Sequence, residues 1–279
     1  MSGTLTATVL LEQPVDLDIA AIAAAVSHRF PQIGHVKPGM GQYGPREVAL
    51  LQIDGAHVAI TLERWRCVPT DLTPDLRPVR GWNCKDAVEQ HRARLTVSCG
   101  GQPAGLEWAK AQAAAVHFVT AALLSDLPAL AVLWGTGYVL APVVEFSGAS
   151  KGLLAGRIPM PLWLGFATVV PKGFDAESAL GVVTYGLRPF VGYELELAPR
   201  PCTANEALGS VAAIARKVLN GTTDLKDGER LTDGETDQDL TVRERNFWLR
   251  RDLSARVLVA PDAVVEVESL RPRPRRAAA

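Results

Sequence analysis

The chain has 279 residues, of which 48% are hydrophobic, and its formal net charge at pH 7 is -1. A chain of this length and composition can bury a sizeable core, either as one large domain or as two smaller ones. The near balance of acidic and basic residues argues against nucleic acid or an anionic membrane as the partner. Both are negatively charged and attract proteins that carry an excess of positive charge.

The composition of the N-terminus and of the apolar stretches predicts a cytoplasmic protein. Residues 1–8 lack the charged start and the continuous apolar stretch of a signal peptide. Polar residues, glycines and a proline interrupt the most apolar stretches, 111–124 and 127–144, so neither is a convincing membrane span. The cysteines are widely scattered, at Cys67, Cys84, Cys99 and Cys202. This scatter does not resemble the dense disulfide framework of a small secreted domain and favours reduced thiols in a bacterial-type cytoplasm.

The first elements of the chain are predicted from apolar periodicity. Residues 5–11 alternate apolar and polar, which is typical of a strand with one buried face. Apolar residues at three- and four-residue spacing then predict a helix over 19–30. The segment 34–45 is rich in glycine and proline and predicts an exposed loop.

A tight hairpin is the clearest local pattern in the chain. Asp54-Gly55 separates two apolar runs, 48–53 and 56–62, and this dipeptide supplies the positive φ angles that a two-residue turn needs. The segment 64–79 breaks this pattern with three prolines and predicts a loop. A further strand is predicted over 94–99.

A long alanine-rich helix is predicted to follow Pro103, which suits a first helical turn. Apolar residues from Trp108 to Leu123 occupy so many helical positions that most of its circumference is expected to be buried. A short apolar strand over 129–134 and a turn at Gly135-Thr136-Gly137 come next.

The second half begins with three predicted strands, over 162–170, 180–187 and 193–197. A capping box at Thr203-Ala-Asn-Glu206 then predicts the start of a helix that Asn220-Gly221 ends. After an acidic, turn-rich stretch, the chain closes with predicted strands over 256–259 and 264–267.

This order of elements is mixed and does not show regular alternation of strand and helix. It predicts an α+β fold with mixed, largely antiparallel sheets built from βαββ-type units and covered by helices, one of them long and buried. We expect an N-terminal half over 1–158 and a C-terminal half over 159–270, packed together as one continuous unit. The basic, proline-containing tail 271–279 is predicted to be disordered.

A metal site is not predicted. The chain has no Cys-x-x-Cys, His-x-His or His-Glu-x-x-His pattern, whereas structural zinc normally takes its ligands from such close pairs. A site made of Cys67, Cys84, Cys99 and His91 would require distant loops to converge, and buried apolar cysteine is the more ordinary interpretation. We therefore predict no metal and no cofactor.

The densest group of carboxylates lies in one turn-rich stretch and consists of Asp224, Asp227, Asp233, Glu235, Asp237 and Asp239. Its spacing does not match the loop of a calcium-binding EF-hand. Two tight Asp-Gly turns in a solvated loop explain the composition. Because like charges would keep this loop exposed, Asp224, Asp227, Asp233, Glu235 and Asp237 are candidates for contact with a basic partner.

Cys84 is the best single candidate for a nucleophile, because Lys85 would lower the pKa of the thiol if the two side chains met. His91 and Glu89 are then the candidates for base and orienting acid. Adjacent side chains on a helix or strand usually point apart, so a structural thiol is the simpler interpretation. No Gly-x-Ser-x-Gly pattern is present, and the sequence around Gly135 lacks the third glycine of a dinucleotide-binding loop.

Three segments together resemble a bacterial family catalogued as a domain of unknown function, numbered 4261. They are the strand and helix that end in Arg29-Phe30-Pro31, the alanine-rich helix followed by Ala131–Gly135, and Thr184–Phe190 leading to Glu194–Leu197. The resemblance implies bacterial origin and one continuous fold unit over most of the chain. That family has no established reaction, cofactor or catalytic residues, so the resemblance implies none here.

The sequence therefore favours a non-enzymatic binding protein, of the toxin-neutralising (immunity-like) or regulatory kind, whose partner is another protein. Trp82, Trp134 and Trp163 are candidate anchors if they are exposed, although core packing is expected for at least two of them. One alternative is an enzyme whose site is assembled from distant segments around Cys84 and His91. Another is a structural subunit that associates with itself.

Overall fold

The computed structural model describes residues 4–39, 47–66, 84–100, 105–232, 239–246, 254–261 and 263. The chain divides into two compact units, Met1–Gly165 and Phe166–Ala279. Within the described part of the chain, no helix is long and apolar enough to cross a membrane. The predicted strand over 264–267 and the basic tail lie outside the described residues.

The described residues of the first unit form one sheet, five α-helices and a short 3-10 helix (Pro31–Ile33). Its strands are β1 (Leu5–Leu11), β2 (Val36–Gly39), β3 (Glu47–Ile53), β4 (Ala56–Glu63), β5 (Ala93–Cys99), β6 (Ala129–Trp134) and β7 (Val139–Pro142). Its helices are α1 (Ile19–Arg29), α2 (Lys85–Gln90), α3 (Leu106–Leu123), α4 (Val143–Leu154) and α5 (Met160–Trp163).

The seven strands form a sheet in the order β2-β3-β4-β5-β1-β6-β7, and every neighbouring pair is antiparallel. β1 lies between β5 and β6, with Val9 directly opposite both Leu95 and Val132. The predicted hairpin is confirmed, since β3 and β4 pair across the turn at Asp54 and Gly55, which both have positive φ angles.

Helix α3 covers this sheet and supplies much of the first unit's core. It packs against α1, α4, β1 and β5. Twelve of its 18 residues are buried, including the polar Gln112, His117 and Thr120. A helix buried on most of its circumference needs small side chains for close approach, which the alanines provide. The predicted long buried helix is confirmed.

The second unit contains a sheet and two helices in its described part. Its elements are β8 (Gly165–Val169), β9 (Leu180–Tyr185), α6 (Arg188–Val191), β10 (Glu194–Arg200), α7 (Ala204–Leu219), β11 (Arg230–Thr232), β12 (Asp239–Asn246) and β13 (Ser254–Val259). The strand order is β11-β12-β13-β10-β9-β8. β10 is parallel to β13 and antiparallel to β9, so the sheet is largely antiparallel.

Helix α7 packs against β9 and β10 and begins with the predicted capping box. The Thr203 hydroxyl accepts a hydrogen bond from the Glu206 amide, and the Glu206 carboxylate accepts one from the Thr203 amide. Its apolar face, which includes Val211, Ile214 and Val218, is buried. With two largely antiparallel sheets and covering helices, the α+β prediction is confirmed.

Two local predictions were wrong, each for an identifiable reason. The predicted loop 34–45 contains β2, which is the last strand at one end of the described sheet and pairs only with β3 there. Pro38 is tolerated in it because an edge strand does not need every amide for pairing. Leu162 and Trp163, predicted as the start of a strand, belong to α5, where Pro161 occupies the first helical turn that suits proline.

Candidate functional site

Cys84 lies immediately before α2, in an apolar setting. Its side chain is buried in a cluster with Leu10, Ala131 and Leu133, and Val88 packs against the same cluster. Burial raises the pKa of the Cys84 thiol above its ordinary value. The thiol therefore stays protonated at neutral pH, which is the reverse of what an activated nucleophile requires.

His91 and Glu89 lie at the opposite end of α2 from Cys84. His91 is buried at the carboxyl end of α2, and its Nδ1 lies 2.8 Å from the Val88 carbonyl oxygen. Cys84 precedes the helix, and a rise of about 1.5 Å per residue separates the two ends by roughly 10 Å. Glu89 is exposed. Among the described residues, no group of three or more His, Cys, Asp or Glu side chains could hold a metal ion.

The first part of the predicted acidic contact loop is fixed to its own sheet. Asp224 and Asp227 are exposed, but a carboxylate oxygen of Asp227 accepts a hydrogen bond from the Glu244 amide at 2.9 Å. Leu225 between them is buried, and its carbonyl accepts a hydrogen bond from the Arg256 guanidinium. Asp239 is exposed at the start of β12. The candidates Asp233, Glu235, Asp237 and Trp82 lie outside the described residues.

Arg256 links this acidic segment to Tyr193. Its guanidinium lies over the Tyr193 ring, 4.9 Å from the centroid, and forms an ion pair with Glu244 at 2.9 Å. Burial, followed by the nearby negative charge of Asp224, raises the pKa of the Tyr193 phenol. Arg256 thus has partners within its own unit. The acidic segment bonded to it therefore helps to hold the second unit together, in addition to any contact with a partner protein.

Trp134 and Trp163 are core residues of the first unit. Both are buried, and their rings stack with centroids 5.5 Å apart. The turn after Trp134 passes close to the backbone of Trp163. A side chain at Gly137 would place its first carbon 2.5 Å from the Trp163 carbonyl oxygen. Close packing therefore explains the glycine at this turn, and neither tryptophan is available to anchor a partner.

Among the tryptophans that the structure describes, Trp65, two positions after the end of β4, has the most exposed side chain, and it was not among the predicted candidates. Its side chain retains 53% of its accessible surface. The neighbouring Arg64 donates to the Asp16 carboxylate at 2.9 Å, and Arg66 donates to the carbonyls of Val88 and Glu89 at the carboxyl end of α2. We refer to Asp16, Arg64, Trp65, Arg66 and the carboxyl end of α2 as the Trp65 surface.

A signal for Trp65 is present in the sequence. The core-facing positions of β4 end at Leu62, and the strand itself ends at Glu63, which is buried and pairs with Arg94 on β5. Trp65 therefore lies beyond the buried face of the strand, between two arginines, a residue type that is mostly exposed.

Two exposed apolar residues lie in the second unit, in the connection from β8 to β9. Val170 and Phe174 retain 41% and 45% of their accessible surface. The Asp175 carboxylate holds this connection by accepting hydrogen bonds from the Ser178 amide and hydroxyl at 2.7 and 2.5 Å. Those bonds also lower the pKa of the Asp175 carboxyl. We refer to residues 170–178 as the Phe174 loop.

Comparisons with known proteins add little to this description. No family model matches the chain, and no curated protein matches its sequence. A crystal structure of a SUFU (suppressor of fused protein) homolog from Neisseria gonorrhoeae FA 1090 is similar over 36% of this chain, at 14% sequence identity and a TM-score of 0.29. The match spans 59% of that protein's chain. A similarity of this size does not assign a shared fold or partner, and the resemblance to family 4261 stays a prediction.

Proposed function

We propose that this chain is a non-enzymatic binding protein that recognises another protein through the Trp65 surface. The observation that carries the proposal is the exposure of the Trp65 indole between two arginines whose guanidinium groups are both already bonded. Tryptophan and arginine are the residue types most enriched among those that dominate binding energy at protein interfaces.

The contacts around Trp65 favour presentation of the indole over its collapse onto the protein. The side chains of Arg64 and Arg66 bond to separate elements, the segment before α1 and the end of α2. The exposed Arg64–Asp16 pair contributes little, whereas the bonds of Arg66 to α2 favour one course of the backbone beside Trp65 and would reduce the ordering that a partner has to impose. The exposed polar groups around the indole correspond to the polar rim of an interface.

The setting of Cys84 supports binding in preference to catalysis at the same region. Arg66 joins the Trp65 surface to α2, the helix that starts at Cys84. The thiol is buried under this helix, whereas Glu89 and Gln90 at its far end are exposed. The part of α2 that is accessible thus offers polar side chains for contact and not a reactive thiol.

A binding experiment tests this proposal with two matched variants. Tagged wild-type protein, Trp65→Ala and Phe174→Ala would be purified from native cells, and the affinity of each for any protein retained by the wild type would be measured. We expect Trp65→Ala to weaken binding by about 30-fold or more, which corresponds to roughly 2 kcal/mol. Phe174→Ala, which removes an equally exposed aromatic side chain from the other unit, should bind like the wild type.

Folding must be excluded as the cause of any loss. Trp65 is exposed, so its replacement should leave the thermal midpoint nearly unchanged. Unchanged affinity of Trp65→Ala would contradict the proposal, and loss in Phe174→Ala alone would move the contact to the Phe174 loop. A protein that retains nothing but gains mass with concentration in light scattering would instead support the self-associating alternative.

The finer form of the proposal is that the partner is a toxin that this chain neutralises. It predicts that the captured protein arrests growth when expressed alone and that co-expression of the wild-type chain restores growth. Trp65→Ala should restore growth less well, in proportion to its lost affinity. If the captured protein does not arrest growth, the result would instead support the regulatory form of the binding function.

A further inference from the structure

The second unit contains a buried carboxylate surrounded by hydrogen-bond donors. Glu194, the first residue of β10, is buried, and one of its carboxylate oxygens accepts from the amides of Gly186 and Arg188 at 3.0 and 3.2 Å. The other oxygen accepts from the Leu187 amide at 3.1 Å and from the Thr184 hydroxyl at 2.8 Å. Three consecutive amides and one hydroxyl therefore converge on a single side chain.

The direction of these bonds matches an ionised Glu194. The Thr184 oxygen accepts the Leu195 amide at 2.8 Å, which leaves its own hydrogen free for the carboxylate. A carboxylate only accepts, whereas a protonated carboxyl group turns one oxygen into a donor. Protonation of Glu194 would therefore point the new carboxyl hydrogen at one of the four groups that now donate to it, and that hydrogen bond would break.

The bonded amides belong to a short turn that contains α6. Gly186 and Gly192 bracket α6 and have φ angles of +92° and +87°, a region that suits glycine. Glu194 thus connects the beginning of this turn to the strand that follows it. We refer to residues 186–192 as the 186–192 turn.

Two effects oppose each other at Glu194, and burial is the larger. Burial disfavours the charged form, the four donated bonds favour it, and the pKa of the carboxyl is raised to about 7 as a result. Charged or titratable groups on the elements that pack around it are Tyr185 on β9, Arg188 on α6, Glu196 and Arg200 on β10, Arg256 on β13, and the exposed Glu206, Arg216 and Lys217 on α7.

We propose that Glu194 is a protonation-controlled latch for the 186–192 turn. As a carboxylate it accepts from all three amides and from the Thr184 hydroxyl, and as a neutral carboxyl group it loses at least one of these four contacts, which loosens the 186–192 turn. The device is local, because α6 is a single turn that packs on α7 and its release leaves the paired strands in place. It operates in the second unit and does not depend on the Trp65 surface.

Nuclear magnetic resonance of the full chain tests the latch. The amide shifts of Gly186, Leu187 and Arg188 should titrate together with a midpoint near pH 7, and so should the Glu194 carboxyl carbon. Hydrogen-exchange protection of these amides should fall on the order of 10-fold as the group is protonated. Glu194→Gln should abolish the titration, whereas Glu206→Gln, a change at an exposed carboxylate of the same unit, should leave it unchanged.

A second pair of variants keeps the test decisive if Glu194→Gln does not fold. Thr184→Val removes one donor to the carboxylate and should move the midpoint to higher pH, while Thr184→Ser keeps the hydroxyl and should retain the wild-type midpoint. Constant amide shifts between about pH 5.5 and about pH 8.5 would overturn the proposal, because Glu194 would then not change its protonation state in this range. A titration that persists in Glu194→Gln would assign it to another group.

Discussion

His117 on α3 and Phe146 on α4 stack with ring centroids 4.3 Å apart and an interplanar angle of 19°. The imidazole is fully buried, and its Nε2 lies 3.3 Å from the Ser150 hydroxyl, also on α4. This pair joins the two helices through one aromatic contact and one polar contact. Its burial makes the neutral imidazole part of the first unit's core.

The burial of His117 predicts a loss of stability in mild acid. Desolvation lowers the pKa of the imidazole from 6.5 to about 4 in the folded chain. Below pH 6.5 the unfolded chain therefore binds a proton that the folded chain does not, so the free energy of unfolding falls as the pH drops from 6.5 to 4. The loss from this residue should reach about 3 kcal/mol, as measured by denaturant unfolding at several pH values.

Two variants separate this effect from general acid unfolding. His117→Phe keeps a ring against Phe146 but cannot bind a proton, so its free energy of unfolding should depend less steeply on pH below 6.5. His57→Gln replaces an exposed histidine in the same unit and should follow the wild type. An equal pH dependence in the wild type and His117→Phe would show that His117 does not contribute.

A tight backbone approach at Gly137 gives a second prediction. A side-chain carbon there would lie 2.5 Å from the Trp163 carbonyl oxygen, and backbone cannot move away as easily as a flexible side chain. Gly137→Ala should therefore lower the free energy of unfolding by about 1–3 kcal/mol. Gly148→Ala is the matched control, because Gly148 lies in α4 with open space beside it and should gain up to about 1 kcal/mol. A neutral Gly137→Ala would contradict the close contact.

The fold was predictable wherever the pattern was local. The Asp54-Gly55 turn and the Thr203 capping box each depend on a few adjacent residues, and both appear as predicted. α2 and α4 were not predicted as helices, since neither has a side-chain cap or a simple apolar stripe. Pairing of β10 with β13, whose partner residues such as Glu194 and Ala255 are 61 positions apart, depends on tertiary contacts that no local pattern contains.

The candidate site was less predictable than the fold, because exposure is a tertiary property. Trp134 and Trp163 look like anchors by residue type, yet packing buries both, whereas Trp65, which was not a candidate, is exposed. The contacts of Glu194 were equally unpredictable from the sequence. The carboxylate and the amides that bond to it come together only once the 186–192 turn has formed. Residue type alone therefore does not indicate which side chains are accessible for contact.

The capping box of α7 gives a third prediction. The Thr203 hydroxyl satisfies the Glu206 amide, one of the amides that have no partner within the helix. Thr203→Ala should lower the free energy of unfolding by about 1 kcal/mol, and Thr203→Ser should lose much less. Denaturant unfolding followed by circular dichroism would measure both variants, and equal stabilities for Ala and Ser would show that the hydroxyl contributes nothing.

The burial of Cys84 and Cys99 gives a fourth prediction, which concerns the reactivity of their thiols. Desolvation raises the pKa of both thiols, so little thiolate forms at neutral pH. In the folded chain iodoacetamide should therefore modify both more slowly than the half-buried Cys202, as followed by peptide mass spectrometry. The unfolded chain is the control, because there these thiols should react at similar rates. Faster modification of Cys84 in the folded chain than in the unfolded chain would identify an activated thiolate and revive the enzymatic alternative.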